Sequence, residues 1–304
     1  MISIGHIYLF TKNFLDSVIG TLQFSAHSFK ERLKYGNYRF SYNSSKNQGN
    51  QETIYILSNG PSLNTELNEL LACEKFTNAK LFAPNFFAES DLFVQLKPCY
   101  YCLADPAFFS VEIPEKTKDL FVLINTKVNW PMKLFIPNWG EQYIKDYFTN
   151  KYIELIKISP LQYSGFKRFK FWSFKKGLAA PSFVNVVIMM EYVMLNLGYK
   201  KIFLCGVDHT HFANLAINDD NQLCIRQDHF YGEGNLKVMG PRYNGQTWRM
   251  KDIVYNTYLT FLEHDVMRGY ADYLDATIIN YTKVSWIDSY VRQAQLNKEK
   301  DIKQ

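Results

Sequence analysis

The chain has 304 residues, and its 34 Lys and Arg against 29 Asp and Glu give a net charge of +5. It is 47% hydrophobic and 16% aromatic, enough for a sizeable core and too apolar for intrinsic disorder. Ten prolines and 15 glycines are too few for a collagenous or low-complexity protein. No run approaches the roughly 18–20 uninterrupted apolar residues of a membrane span.

The first residues, MISIGHIYLFTKNFLDSVIG, carry no basic n-region and no small-residue cleavage site. No signal peptide is expected, and the chain reads as cytoplasmic, with peripheral contact at an inner membrane compatible with this start. Residues 1–35 form an amphipathic, partly aromatic segment that ends in the basic patch KERLK. The polar stretch NSSKNQGNQE (43–52) reads as a linker. The chain then divides into an N-terminal segment (1–50), an α/β domain (51–292) and a charged tail (293–304).

Within the α/β domain, TIYILSNGPSL enters a turn at Gly60-Pro61, with Ser62 as expected N-cap and NTELNELLACEKF as the helix. AKLFAPNFFA is a second buried strand, ESDLFVQLK a helix and CYYCLAD a third strand. SFVNVVIMMEYVMLNLG (182–198) is apolar nearly all round, so it reads as a core helix stopped by Gly198. KKIFLCGVD follows as a continuous β-run, and Ala276-Thr277-Ile278-Ile279 is a further strand. Alternating helices and continuously apolar strands predict a Rossmann-like, mostly parallel sheet flanked by helices.

Five cysteines (Cys73, Cys99, Cys102, Cys205 and Cys224) are odd in number and scattered, which fits reduced thiols. Cys99 and Cys102 form a C-x-x-C, but their aromatic and apolar neighbours read as a buried strand rather than a redox or zinc site.

In an open parallel sheet, ligands bind beyond the carboxyl ends of the strands. The first such end offers Asn59, Gly60 and Ser62: a close backbone approach, short polar side chains and a helix N-terminus that attracts phosphate. It is neither a Walker loop nor a dinucleotide fingerprint, and an ordinary strand–helix turn reads the same way. The second end offers Asn85, which can read a base edge or ribose and is equally a common turn residue. The third offers Gly206, Asp208, His209, Thr210 and His211: a metal site lacking a visible third ligand, a phosphate cradle, or plain polar lining of a cleft. Downstream, His229 in QDHFYG is able to titrate near neutral pH, although a surface-loop histidine is the commoner fate. His6, His27 and His264 lie away from these ends in the sequence pattern and receive no role.

SGFKRFKFWSFKKG (164–177) interleaves Lys and Arg with aromatics. It fits an anionic membrane surface, single-stranded nucleic acid, a lid over an anionic donor, or a solvated strand with aromatics packed inward. The mild net charge and the lack of a nucleic-acid-binding signature argue against nucleic acid.

ILSNGPSL, APNFF, ADPAFF, LNLGYKKIFLCGVD and DHFYG occur in the order seen in bacterial sialyltransferases of the Campylobacter type. They also resemble a related group from surface-polysaccharide gene clusters, with hydroxymethylpterin pyrophosphokinases among its distant archaeal relatives. The resemblance spans roughly residues 53–290. It implies a single Rossmann-like domain with a lid, of the GT-A-variant type. It implies inverting transfer from a CMP-sugar to a glycan such as lipopolysaccharide or capsule, with no metal and no cofactor.

Carried over, it implies Asn59, Gly60 and Ser62 at the donor phosphate and ribose, Asn85 on the nucleotide or sugar, and Gly206 and Asp208 beside the cytidine. It implies a donor contact near the start of the helix before LGY, at Ser182 or Asn185, and His229 as catalytic base. The family's two phosphate-holding tyrosines fall at Thr210 and Ala216. Either His209, His211 or the basic-aromatic segment replaces them, or the donor is another activated sugar. Two rivals remain: an ATP/Mg²⁺ pyrophosphokinase recruiting Asp105 and Asp208, and a non-catalytic nucleotide- or glycan-binding protein. Homo-oligomers fit any of the three.

Overall fold

A computed structural model describes residues 4–36, 40–42, 53–229, 232–240 and 245–293, with their side chains except at 4–10, 226–229 and 232–235. The chain opens with helix α1 (Ile4–Tyr35). It continues through β1 (Thr53–Leu57), α2 (Ser62–Leu71), α3 (Glu74–Thr77), β2 (Lys80–Pro84), α4 (Leu92–Leu96) and β3 (Tyr100–Cys102). Next come α5 (Glu115–Lys127), β4 (Met132–Pro137), α6 (Glu141–Ile144), β5 (Ile153–Ile158), α7 (Lys170–Lys175), α8 (Val186–Asn196) and β6 (Lys201–Cys205). An antiparallel sheet of β7 (Leu215–Ile217), β8 (Leu223–His229) and β9 (Gly232–Val238) follows, then α9 (Met250–Tyr273), β10 (Thr277–Asn280) and β11 (Val291–Arg292).

The main sheet has eight strands in the order β11-β10-β6-β1-β2-β3-β4-β5, and every neighbouring pair is parallel. The expected Rossmann-like architecture is therefore present, and β4 and β5 extend it beyond the strands named from sequence. Both faces are covered, which is why the central strands are apolar without alternation. Ile54, Ile56, Phe82 and Leu204 join the core on the α8–α9 side, while Tyr55, Leu57, Leu81 and Cys205 face the α2–α5 side.

Three boundaries differ from the sequence reading. Pro61 is already helical (φ −61°, ψ −24°), so Ser62 is the first residue of α2 and not its cap. The helix expected through Phe76 breaks at Cys73, whose extended backbone (φ −91°, ψ 112°) separates α2 from α3. The core helix starts at Val186, because the Asn185 side chain accepts the Val187 N–H at 2.8 Å as N-cap. The basic-aromatic segment is not a strand: a 3₁₀ turn (Lys167–Phe169) leads into α7, which turns Phe171 and Phe174 inward at helical spacing. The five cysteines are free. The linker 43–52 and tail residues 294–304 lie outside the described residues.

Candidate active site at the carboxyl edge of the sheet

All eight strands run the same way, so their carboxyl ends share one edge. From β1 the chain steps outward to β5, then returns through α8 to lay β6 on the other side of β1. The loops leaving β1 and β6 diverge there, which is where an open α/β sheet forms its ligand crevice. Leu57 pairs with Cys205, so Ser58–Ser62 and Gly206–Asp208 leave the sheet side by side.

These two loops are tied to each other. The Gly60 N–H donates to the Gly206 carbonyl at 2.9 Å, and the Ser58 N–H donates to the Cys205 carbonyl at 2.9 Å. The buried Asp208 carboxylate accepts the Ser62 N–H at 3.1 Å and also the Ser62 hydroxyl. Asp208 thus caps α2 from across the crossing, filling the helix N-terminus that the sequence offers to a phosphate. A β-carbon on Gly60 would lie 2.3 Å from the Gly206 carbonyl oxygen, so only glycine fits. Beneath them, fully buried Glu66 accepts the N–H groups of Lys283 at 2.6 Å and Gly206 at 3.3 Å. Burial raises its pKa, and those two donors partly offset the rise. The exposed Asn59 side chain remains facing solvent at this turn.

At the next strand ends, Asn85 takes a left-handed backbone (φ +46°), and its side chain accepts the Ala104 N–H at 3.4 Å. Its carbonyl accepts the Tyr101 hydroxyl at 2.5 Å. Asp105, one strand further along, caps the turn after β3 by accepting the Ala107 N–H at 2.9 Å. His209 is the second non-glycine residue at this edge with a left-handed backbone (φ +53°). Such strained positions cluster at ligand sites, where the surroundings force them.

His209 heads a buried chain of polar side chains. Its Nε2 lies 3.0 Å from Nε2 of His264 on α9. His264 Nδ1 lies 3.0 Å from the Tyr290 hydroxyl and 3.3 Å from Glu191 Oε1 on α8. Tyr290 in turn donates to Glu191 Oε2 at 2.8 Å. Glu191 and His264 are both fully buried. With the Tyr290 proton directed at Glu191, His264 Nδ1 carries a proton, so only one of the two facing Nε2 atoms can. Desolvation first, then His264 and His211, lower the His209 pKa to about 3, so the ring is neutral at working pH.

Ser182 and Asn185 reach the same edge, because α8 runs back across the sheet before β6. The Ser182 N–H donates to Glu263 at 3.2 Å, and its hydroxyl accepts from Gln162 at 3.1 Å. Asn185 spends its side chain on capping α8. Thr210 is half-buried beside His209, and His211 is exposed at the start of a 3₁₀ turn. The backbone of His229 ends β8, opposite Gly232, and its side chain lies outside the described residues. His264, given no role from the sequence, contacts His209 directly. Glu191 was also missed, although a lone acid inside VVIMMEYVMLN demands a buried partner. Among the described residues, no group of three or more His, Cys, Asp or Glu side chains is arranged to hold a metal ion.

No protein-family model matches the chain, and no curated protein matches it significantly.

Proposed function

We propose that the chain is a glycosyltransferase that moves a sugar, with inversion, from a nucleotide-activated donor to a surface glycan. A CMP-linked donor of the sialyltransferase kind fits the motif order best. The observation that carries this reading is the Glu191–His264–His209 chain ending at the β1–β6 crossing. An acceptor hydroxyl must lose its proton as it attacks the anomeric carbon, and a neutral imidazole suits that task.

His209 on its own is a poor resting place for a proton, because burial opposes its charge. The chain removes that difficulty. A proton taken at Nδ1 of His209 lets its Nε2 proton pass to His264 Nε2, 3.0 Å away, and the positive charge comes to rest beside Glu191. In this reading Asn59, exposed at the β1 turn, and Asn85, at the end of β2, would meet the nucleotide and its ribose.

The kinase rival needs carboxylates free to share Mg²⁺. Asp208 is bound by Ser62 through both oxygens, and Asp105 caps its own turn, which weighs towards the glycosyl reading.

Release of nucleotide from CMP-, UDP- and GDP-sugars, followed for the wild type, His209→Gln and His229→Gln, tests the proposal. Metal-independent release that falls about 10²–10⁴-fold in His209→Gln supports it. A loss confined to His229→Gln returns the base to the residue that the motif resemblance implies. Stabilisation by ATP with Mg²⁺ and formation of AMP, with no sugar transfer, would overturn the reading altogether.

A further inference from the structure

Helix α1 and the segment 164–176 are one surface. Gly20 of α1 approaches so closely that a β-carbon there would lie 2.9 Å from the Gly165 nitrogen, and the Ser164 hydroxyl donates to the Gly20 carbonyl at 2.9 Å. Phe14 meets Phe166 edge-on with ring centroids 5.7 Å apart, and Phe24 meets Tyr163 at 5.0 Å. The inward side of α1 is therefore locked to the body through Phe24, which is 8% exposed.

The outward side is apolar. Leu15, Ile19, Leu22, Phe29 and Leu33 recur at spacings of three, four or seven along one stripe, and each is at least 51% exposed. Beside them stand Phe169 and Trp172, 42% and 45% exposed, which line one cavity of about 380 Å³ together with Phe29. Lys12, Lys30, Lys34, Lys167, Arg168 and Lys176 are also exposed here. Asp16 is the single acid among the exposed residues of 11–36 and 164–177, because Glu31 turns inward to accept from Asn138 at 2.9 Å and Ser159 at 3.2 Å.

We infer that this face docks on the surface of an anionic lipid bilayer. The apolar stripe and the two aromatics would enter the interface, and the flanking lysines and Arg168 would meet lipid phosphates. Charge complementarity decides between occupants. A second α1 packed along the stripe would cover Leu22 and Phe29 but leave Phe169, Trp172 and the basic side chains of 167–176 in water. It would also set like-charged faces together, whereas an anionic plane takes all of them at once. Among the described residues no helix is long and apolar enough to cross a membrane. The inference is independent of the reaction proposed above.

Flotation of the full chain with phosphatidylcholine vesicles, with and without about 30 mol% phosphatidylglycerol, tests it. The expected result is binding to the anionic vesicles at least about tenfold above the neutral ones, weakening with added salt. Leu22→Glu/Phe29→Glu and Lys167→Glu/Arg168→Glu should each lower it by about tenfold while the thermal melt is kept, since all four side chains point outward or lie at the surface. Absence of anionic-vesicle binding, or binding retained at the wild-type level by both double variants, overturns the inference. So does a light-scattering dimer that Leu22→Glu/Phe29→Glu dissociates without any vesicle binding. Oligonucleotide binding lost in Lys167→Glu/Arg168→Glu, again without vesicle binding, overturns it in favour of nucleic acid.

Discussion

The β1–β6 crossing and the outer face of α1 treat their side chains in opposite ways. At the crossing, the charged and polar groups are buried and spent on one another: Asp208 on Ser62, Glu66 on two backbone N–H groups, Glu191 on Tyr290 and His264. On α1, large apolar side chains stand more than half exposed among the described residues. Buried carboxylates and imidazoles are expensive to desolvate and are weak stabilisers, so their presence at a strand-end crossing points to function. Exposed leucines in a continuous stripe gain nothing in the free chain, so they point to something that covers them. Chemistry is thus to be sought where polar groups hide, and association where apolar groups do not.

The two regions differ most in what His209 should do. If the crossing is a reaction centre, His209→Gln and His264→Gln should each slow turnover by about 10²–10⁴-fold, or about 3–5 kcal/mol in the barrier, with the fold retained. If the network only holds the fold together, the same variants will lower stability while specific turnover of the folded fraction stays level.

Gly60→Ala probes the brace. The new β-carbon would face a backbone oxygen at 2.3 Å and Asp208 Oδ1 at 2.6 Å, neither of which is a flexible chain end. A loss of about 1–3 kcal/mol in urea unfolding is expected. Gly240→Ala, with nothing within 4 Å, should stay within about 0.5 kcal/mol and serves as the control.

Much of this was legible from the sequence, and what escaped did so for a physical reason. Runs such as TIYIL and KIFLC announce buried parallel strands, because nothing in them favours water on either face. The strand ends followed, and with them Asn59, Asn85, Asp208 and His209. What the pattern could not show is that Asp208 caps a helix 146 positions earlier, since nothing local to either residue signals the pairing. Ser62 therefore read as a cap and a phosphate ligand, when its hydroxyl and amide are already taken. The separation of α1 from the domain is a similar case: a run of glycine, serine and phenylalanine does not reveal that Gly20 will sit against Gly165. Glu191 is the clue that the sequence does hold, since a lone acid in so uniformly apolar a helix needs a buried partner.

Acidification gives a smaller effect. The folded-state pKa of His209 is lowered to about 3, against about 6.5 in the unfolded chain, so below pH 6.5 the unfolded state binds the extra proton. Its contribution to stability is whole above pH 6.5 and is lost as the pH falls towards 3, at up to about 1.4 kcal/mol per pH unit. The raised pKa of Glu66 acts in the opposite sense, so the readable quantity is the difference between wild type and His209→Gln. The pH-dependent part of that difference should be absent at pH 7.5 and grow as the pH is lowered to 5. A difference independent of pH would mean that the ring titrates alike in the folded and unfolded chain, and the buried neutral imidazole on which the proposed proton path rests would be lost.

The smallest effect belongs to the exposed stripe, and its smallness is what makes it informative. Leu22 is 65% exposed, so Leu22→Ala removes little buried area and places a better helix former in α1. Unfolding free energy should move by no more than about 0.5 kcal/mol at any protein concentration. Were Leu22 covered by a second copy of the chain, truncation would cost more at high concentration than at low, because association adds to apparent stability by mass action. Melts of wild type and Leu22→Ala at two concentrations, about a hundredfold apart, therefore separate a surface that waits for lipid from one that is already in use.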